Sequence, residues 1–315
     1  MMRQRYVFGL LLALLAVPRL HAQQDYHTTQ FVFNKLAINP AYAGADHVLS
    51  LTGLYRNQWA GLEGAPSTIS FSAHSPIAHN RMGIGLQLYD DRLGVSHSIG
   101  MFGAYNYKIP LGNSVLSLGL QAGLISLRND LDEVNPLTPG DPVFAQGVNG
   151  IYPNAGVGVY WYMPGRAFAG LSIPRLIQNE VDDLVPGAID QARLYRHSYL
   201  MGGYVFTVNR NLRIRPTALF KWAGPADIGA PFDAEANLAV LLMERLWVGA
   251  GWRASDAVSA QLEFLVSRQL VLGYAYDIGT SDLAPYHNGS HEIMLQFAFD
   301  FERNGVVTPR RIKTF

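Results

Sequence analysis

The sequence predicts an all-β protein, a transmembrane antiparallel up-and-down β-barrel of about fourteen strands. Three observations carry that expectation. Runs of strict apolar/polar alternation begin near residue 47 and recur to residue 301. Many of them reach roughly nine to eleven residues, the length a tilted strand needs to cross a bilayer. The connections between them are sorted by parity, short after one strand and long after the next. A sandwich with Greek-key crossings has no reason to sort them so, whereas a membrane barrel does.

Composition agrees. Of 315 residues, 49% are apolar and 15% charged, with a formal net charge of zero. That is a low charge density for a soluble chain of this length, and it provides no electrostatic footprint for nucleic acid. The 31 glycines and 16 tyrosines suit hairpins and interfacial aromatics. The absence of cysteine excludes disulfides, thiolate catalysis, cysteine-held zinc or iron–sulfur clusters, and a lipid anchor on an N-terminal cysteine.

The first 22 residues read as an export signal, with Arg3 and Arg5 before the apolar run Tyr6 to Val17 and Leu20-His21-Ala22 as the cleavage site before Gln23. The apolar run is too short to span about 30 Å of hydrocarbon comfortably. Residues 23–45 are expected to form a periplasmic N-terminal segment without a clean period. Its turn chemistry lies in Asn39-Pro40, an extended residue before a fixed φ, and in Gly44 a few residues later. Residues 46–301 form the expected barrel. Residues 302–315 form a tail with Arg310, Arg311 and Lys313, so the chain does not stop at the aromatic of its last strand.

The strands are expected near 47–55, 67–74, 82–90, 97–107, 114–127, 153–163, 166–172, 198–208, 212–222, 235–243, 245–253, 258–266, 269–277 and 291–301. In 82–90, Met82, Ile84, Leu86 and Leu88 oppose Gly83, Gly85 and Gln87. In 114–127, Leu116, Leu118, Leu120 and Leu124 oppose Ser117, Gly119, Gln121 and Gly123. Ala260, Leu262, Phe264 and Val266 oppose Ser259, Gln261 and Glu263, and Ile293, Leu295, Phe297, Phe299 and Phe301 oppose Glu292, Met294, Gln296, Ala298 and Asp300. The small and polar face is the one a lumen requires. Tyr160, Trp161, Tyr162, Trp222, Trp247, Trp252, Tyr274 and Tyr276 lie near strand ends, as aromatic girdles do.

Connections are tight at Ile77 to Arg81, Pro110 to Asn113, Pro164-Gly165, Asn209 to Asn211, Glu244 and Ser267-Arg268. They are long at Arg56 to Pro66, Arg128 to Tyr152, Ile173 to His197, Ala223 to Ala234 and Ile278 to Ser290, with Ala254 to Ala257 as an exception. The tight set is expected to face the periplasm, together with both termini.

Two motifs at opposite ends of the chain carry a family resemblance. N-P-A-Y-A-G (Asn39 to Gly44), followed by Y-R-N-Q-W (Tyr55 to Trp59) and a G-A-P turn, resembles the opening of the PorP/SprF family, outer-membrane proteins of the type IX secretion and gliding systems of Bacteroidetes. G-Y-A-Y-D (Gly273 to Asp277) and G-S-H-E-I-M-L (Gly289 to Leu295) resemble its close. The resemblance implies a barrel with no chemistry of its own. Its implied partners are other type IX components, secreted cargo or a surface adhesin, a periplasmic peptidoglycan-linked partner, and membrane lipid. Asn39, Pro40, Tyr42, Gly44, Arg56, Gln58, Trp59, His291 and Glu292 form its signature, for partner binding or for structure. Asn39 to Gly44 is expected to fold back at the periplasmic mouth, with Arg56 and Trp59 at the far end of the first strand.

Sites for chemistry are weak by comparison, and neither catalytic residues nor a cofactor is assigned. His287, His291 and Glu292 lack the helical spacing of a zinc motif, with Leu295 where its second histidine would stand. Asp90-Asp91, Asp130-Asp132-Glu133 and Asp182-Asp183 lack EF-hand spacing and read as solvated acidic loops. No serine sits in a nucleophile elbow. Gly156-Val-Gly158 lies within a strand, where small residues admit close packing, and not at a helix N-terminus that would hold phosphate. Three function classes follow: a docking or anchoring barrel, a porin or small-solute transporter gated by residues 23–45, and a lipid-modifying enzyme. The last requires a serine or histidine cluster at the girdle, which the sequence does not offer.

Overall fold

The computed structural model describes residues 26–130, 148–180, 194–209, 211–224, 232–254 and 256–299. Fifteen strand segments form one sheet. They are β1 (Leu49–Asn57), β2 (Ser67–Ile77), β3 (Met82–Leu93), β4 (Ser96–Leu111), β5 (Ser114–Asn129), β6 (Val148–Met163), β7 (Ala167–Ile173), β8 (His197–Tyr204), β9 (Phe206–Thr207), β10 (Leu212–Ala223), β11 (Asp233–Leu242), β12 (Leu246–Arg253), β13 (Ala257–Leu265), β14 (Leu270–Gly279) and β15 (Ser290–Phe299). Each pairs antiparallel with its chain neighbour, and β15 returns to β1 along Leu49↔Phe299 to Asn57↔His291. β8 and β9 both pair with β10, so they are one wall strand broken at Val205, whose N–H goes to the Arg166 carbonyl. The result is a closed barrel of 14 wall strands. Closure leaves no edge, as a hydrocarbon surrounding demands of every backbone N–H and C=O.

The alternation falls as the sequence has it. Ile84, Leu86, Leu88, Leu118, Leu120, Leu124, Leu262, Phe264, Ile293 and Leu295 are exposed on the outer face, while Ser117, Gln121, Gln261, Glu263, Glu292, Met294 and Gln296 are buried inside. Among the described residues no helix is long and apolar enough to cross a membrane. The short connections gather at one end of the barrel and the long ones at the other. Besides 254–256, a second short link appears at the long-loop end, where β3 and β4 run on to a two-residue turn at Gly94-Val95.

The aromatic expectation needs correction. Trp222, Trp252 and Tyr274 are exposed near the long-loop end, and Tyr105 and Tyr107 near the short-turn end. Tyr160, Tyr162 and Trp247 are buried inside the barrel. The alternation that turns Trp161 outward turns its two neighbours inward.

What they pack on is the chain's own N-terminal segment. Residues 26–46 lie within the barrel, and not outside its mouth as a periplasmic segment. They carry one turn of helix, α1 (Lys35–Ile38), and a 3-10 turn at Pro40–Tyr42. Phe31, Val32, Phe33, Leu36, Ile38, Ala41, Tyr42 and Ala43 form one apolar cluster with inward Tyr160, Tyr162, Phe168, Tyr199, Met201 and Met294. The barrel core is therefore a plug packed against a wall.

Candidate functional site

The signature residues meet the barrel at three levels. At mid-height, Asn39 ends α1 and caps the 3-10 turn, its side-chain oxygen accepting from the Ala41 N–H at 2.9 Å. Its amide donates to the carbonyls of Val159 at 3.0 Å and Leu171 at 3.4 Å. Pro40 sits at the first position of the turn, where a missing N–H is harmless. Asn106 on β4 donates to the carbonyls of Ala41 at 2.7 Å and Ala43 at 2.6 Å, and Ser172 on β7 to that of Ile38 at 2.7 Å. Asn39 is thus deep in the lumen, not at a mouth.

This closeness depends on inward glycines. A Cβ on Gly119 would stand 2.2 Å from the Ala41 nitrogen, on Gly158 2.1 Å from the Asn39 side-chain oxygen, and on Gly83 2.1 Å from the Ala43 carbonyl oxygen. The lumen glycines are seats for the plug.

Toward the short-turn end, the Tyr42 hydroxyl donates to Asp46 at 2.8 Å, and its ring stands edge-on to His74 and Tyr160. Gly44 has φ +65° and lies against Ser75-Pro76; its N–H goes to His74 at 3.1 Å and its carbonyl receives Lys108. A side chain there would meet both a strained backbone and a wall. The chain then enters β1 within five residues.

Toward the long-loop end the segment is held by charge. Glu292 accepts the backbone N–H groups of Thr29 and Gln30, both at 2.8 Å. The Thr29 hydroxyl donates to Asp277 at 2.9 Å while accepting from Arg56 at 2.8 Å and Arg253 at 3.1 Å. Arg56 pairs with Asp277 at 2.7 Å and Glu292 at 3.2 Å, and Arg253 pairs with Glu235 at 3.3 Å. Arg56 is 1% exposed and Glu292 0%. Arg56 is therefore an interior clamp, not an outer-face contact. His27, on the same segment, has its pKa lowered well below the usual value, first by burial and then by Lys221 and the two arginines.

Gln58 accepts from Arg56 at 3.4 Å and begins the 58–66 loop, followed by Trp59, half-buried with φ 52°. That loop pairs with 284–290: Asn288 N–H to Ala60 carbonyl and Ala60 N–H to Gly289 carbonyl, each 2.8 Å, with Trp59 N–H to Ser290 at 3.1 Å and its ring 6.2 Å from that of His287. The opening and closing motifs thus join: Arg56 faces Glu292 and Asn57 faces His291 in the β1–β15 register. His291 and Glu292 sit on opposite faces, His291 outside with Tyr274 at 2.7 Å and Glu292 inside. Asp90 and Asp91 are bonded to Arg92, His97 and Thr68. Among the described residues no group of three or more potential ligands is placed to hold a metal. Asp132, Glu133, Asp182, Asp183, the signal sequence and the tail lie outside the described residues.

Reading the sequence alone missed Thr29, Asp277, Arg253 and the Pro174 to Asn179 stretch. Pro174 and Ile177 turn their carbonyls to Gln121 and Asn154 on the inner wall, beside the start of the plug. Only Asp277 had a signal, as the last residue of G-Y-A-Y-D.

A family model described as the type IX secretion system membrane protein PorP/SprF matches residues 20–297. Among solved structures, the outer membrane protein Omp33 of Acinetobacter baumannii is similar at 8% identity and TM-score 0.46, over 80% of this chain and 98% of that one. A Pseudomonas aeruginosa FadL homologue is similar at 12% identity and TM-score 0.46, over 81% of this chain and 89% of that one. The KdgM porin is similar at 8% identity and TM-score 0.39, over 80% and 99%. No curated protein matches the sequence.

Proposed function

The chain belongs to the PorP/SprF family of type IX secretion system membrane proteins, and from that premise we propose that it is a non-enzymatic outer-membrane barrel. It docks or anchors secreted cargo or a surface adhesin at one end and periplasmic machinery at the other. The observation that carries the reading is the filled lumen. Residues 26–46 occupy the interior, and a partly open cavity beside them measures about 40 Å³, room for a few waters. A barrel so filled acts through its ends. The long-loop end offers a braced platform, 58–66 on 284–290, in which Trp59 keeps a left-handed backbone and Tyr286 is 69% exposed. Backbone strain and exposed aromatics concentrate at contact sites.

The long loops face outward and the short turns face the periplasm, as in outer-membrane barrels, and both termini share the periplasmic side because an even strand number returns the chain to where it started. Tags inserted near Asn135 and Asp183 are expected to label on intact cells and one near Arg210 is not; the opposite pattern reverses the orientation. The function is tested by purification from outer membrane followed by mass spectrometry. Recovery of type IX components or cargo is expected. Recovery of none, with steady ion conductance of the wild-type protein in planar bilayers, would make the protein a porin.

A further inference from the structure

The outer rim at the long-loop end is not uniform. On β10, β12, β13 and β14 the outward face stays apolar or aromatic to its last residues, with Trp222, Trp252, Val258 and Ile278 all exposed. On β3, β4 and β5 it changes abruptly. Among outward-facing positions Leu88, Ile99 and Leu124 are the last exposed apolar residues (Leu93, also exposed, ends β3 on the opposite face), and beyond them three outward positions in adjacent strands are Arg92, His97 and Arg128. They are register partners, Arg92↔His97 and His97↔Arg128. The arginines therefore flank the histidine across two strand spacings, about 10 Å in all.

We propose that this row binds the phosphates of a phosphorylated glycolipid in the leaflet at the long-loop end. An outward charge at the edge of the apolar belt faces headgroups, and a planar guanidinium donates to phosphate oxygens in pairs. Two aspartates accompany the row. Arg92 gives its Nε to Asp90 at 3.1 Å, Asp90 also meets His97 at 3.1 Å, and Arg128 gives its Nε to Asp130 at 2.7 Å. The contact with Asp90 holds Arg92 by its inner nitrogen. Arg92 and Arg128 remain 63% and 60% exposed at the side chain. The site lies two to four residues past the last outward apolar position of its strands, where a lipid with buried acyl chains presents its phosphate. The choice of a glycolipid over a phospholipid rests on the orientation proposed above, which surface labelling tests separately.

The test is retention of diphosphoryl lipid A by purified, folded protein in detergent, for wild type, Arg92→Gln/Arg128→Gln, and Arg166→Gln at the short-turn end. Heat-modifiable migration verifies that each variant is folded. Each arginine is expected to contribute about fivefold to retention and the pair about thirtyfold, with Arg166→Gln unchanged. Equal retention by wild type and double variant overturns the site. Equal retention of dephosphorylated lipid A overturns phosphate recognition. Loss of lipid in millimolar inorganic phosphate makes free phosphate the ligand and overturns the assignment to lipid.

Discussion

The two parts of the plug are held in different ways. From Asn39 to Gly44 it is held by shape: glycines on β3, β5 and β6 let its backbone lie within bonding distance of the wall, and neutral amides on Asn39 and Asn106 close the contact. At Thr29 and Gln30 it is held by charge, with two arginines and three carboxylates converging on one hydroxyl and two N–H groups. Shape yields gradually, since neighbours give by fractions of an ångström before a contact is lost. A buried charge clamp does not, because removing one ion strands its partners away from water.

The sharpest break of that comparison is Arg56→Ala. It leaves Asp277 and Glu292 facing each other at the plug, and a loss of about 3–5 kcal/mol is expected. It should appear as a markedly lower temperature for heat-modifiable migration; an unchanged transition would mean the clamp holds nothing. Gly119→Val comes next, at about 1–3 kcal/mol, since its Cβ meets backbone. Gly103→Val on the outer face of neighbouring β4 is its control, with the nearest atom, the Ala122 carbonyl oxygen, 4.0 Å from the Cβ, and should be silent. Asn39→Ala removes a cap and two carbonyl contacts, with an expected loss of about 1–2 kcal/mol in thermal unfolding. Trp59→Ala, outside both halves, should change barrel stability by about 0.5 kcal/mol or less while lowering recovery of outer partners. An equal fall in stability would place Trp59 with the clamp instead.

Much of the wall was legible because it is written locally. Ile293 and Glu292 face different solvents, and a strand has only two faces, so neighbours in sequence reveal the sides. The same rule, applied fully, would have turned Tyr160 and Tyr162 inward. Loop parity placed the ends, although Gly94-Val95 was hidden because β3 and β4 extend past the apolar belt as polar, paired strands. The inner glycines read as small residues admitting close packing, without any sign of what packs there.

The sequence by itself determined the strands, their faces, their approximate number and the family, since alternation and motif are properties of neighbouring residues. Only the tertiary structure decided that residues 26–46 lie inside the barrel and that Arg56, Thr29, Asp277 and Glu292 form one clamp. Closure sets β1 against β15 and brings together side chains more than two hundred positions apart. No local period encodes such a meeting, and a buried arginine in a strand reads the same as an exposed one until its partners are in place.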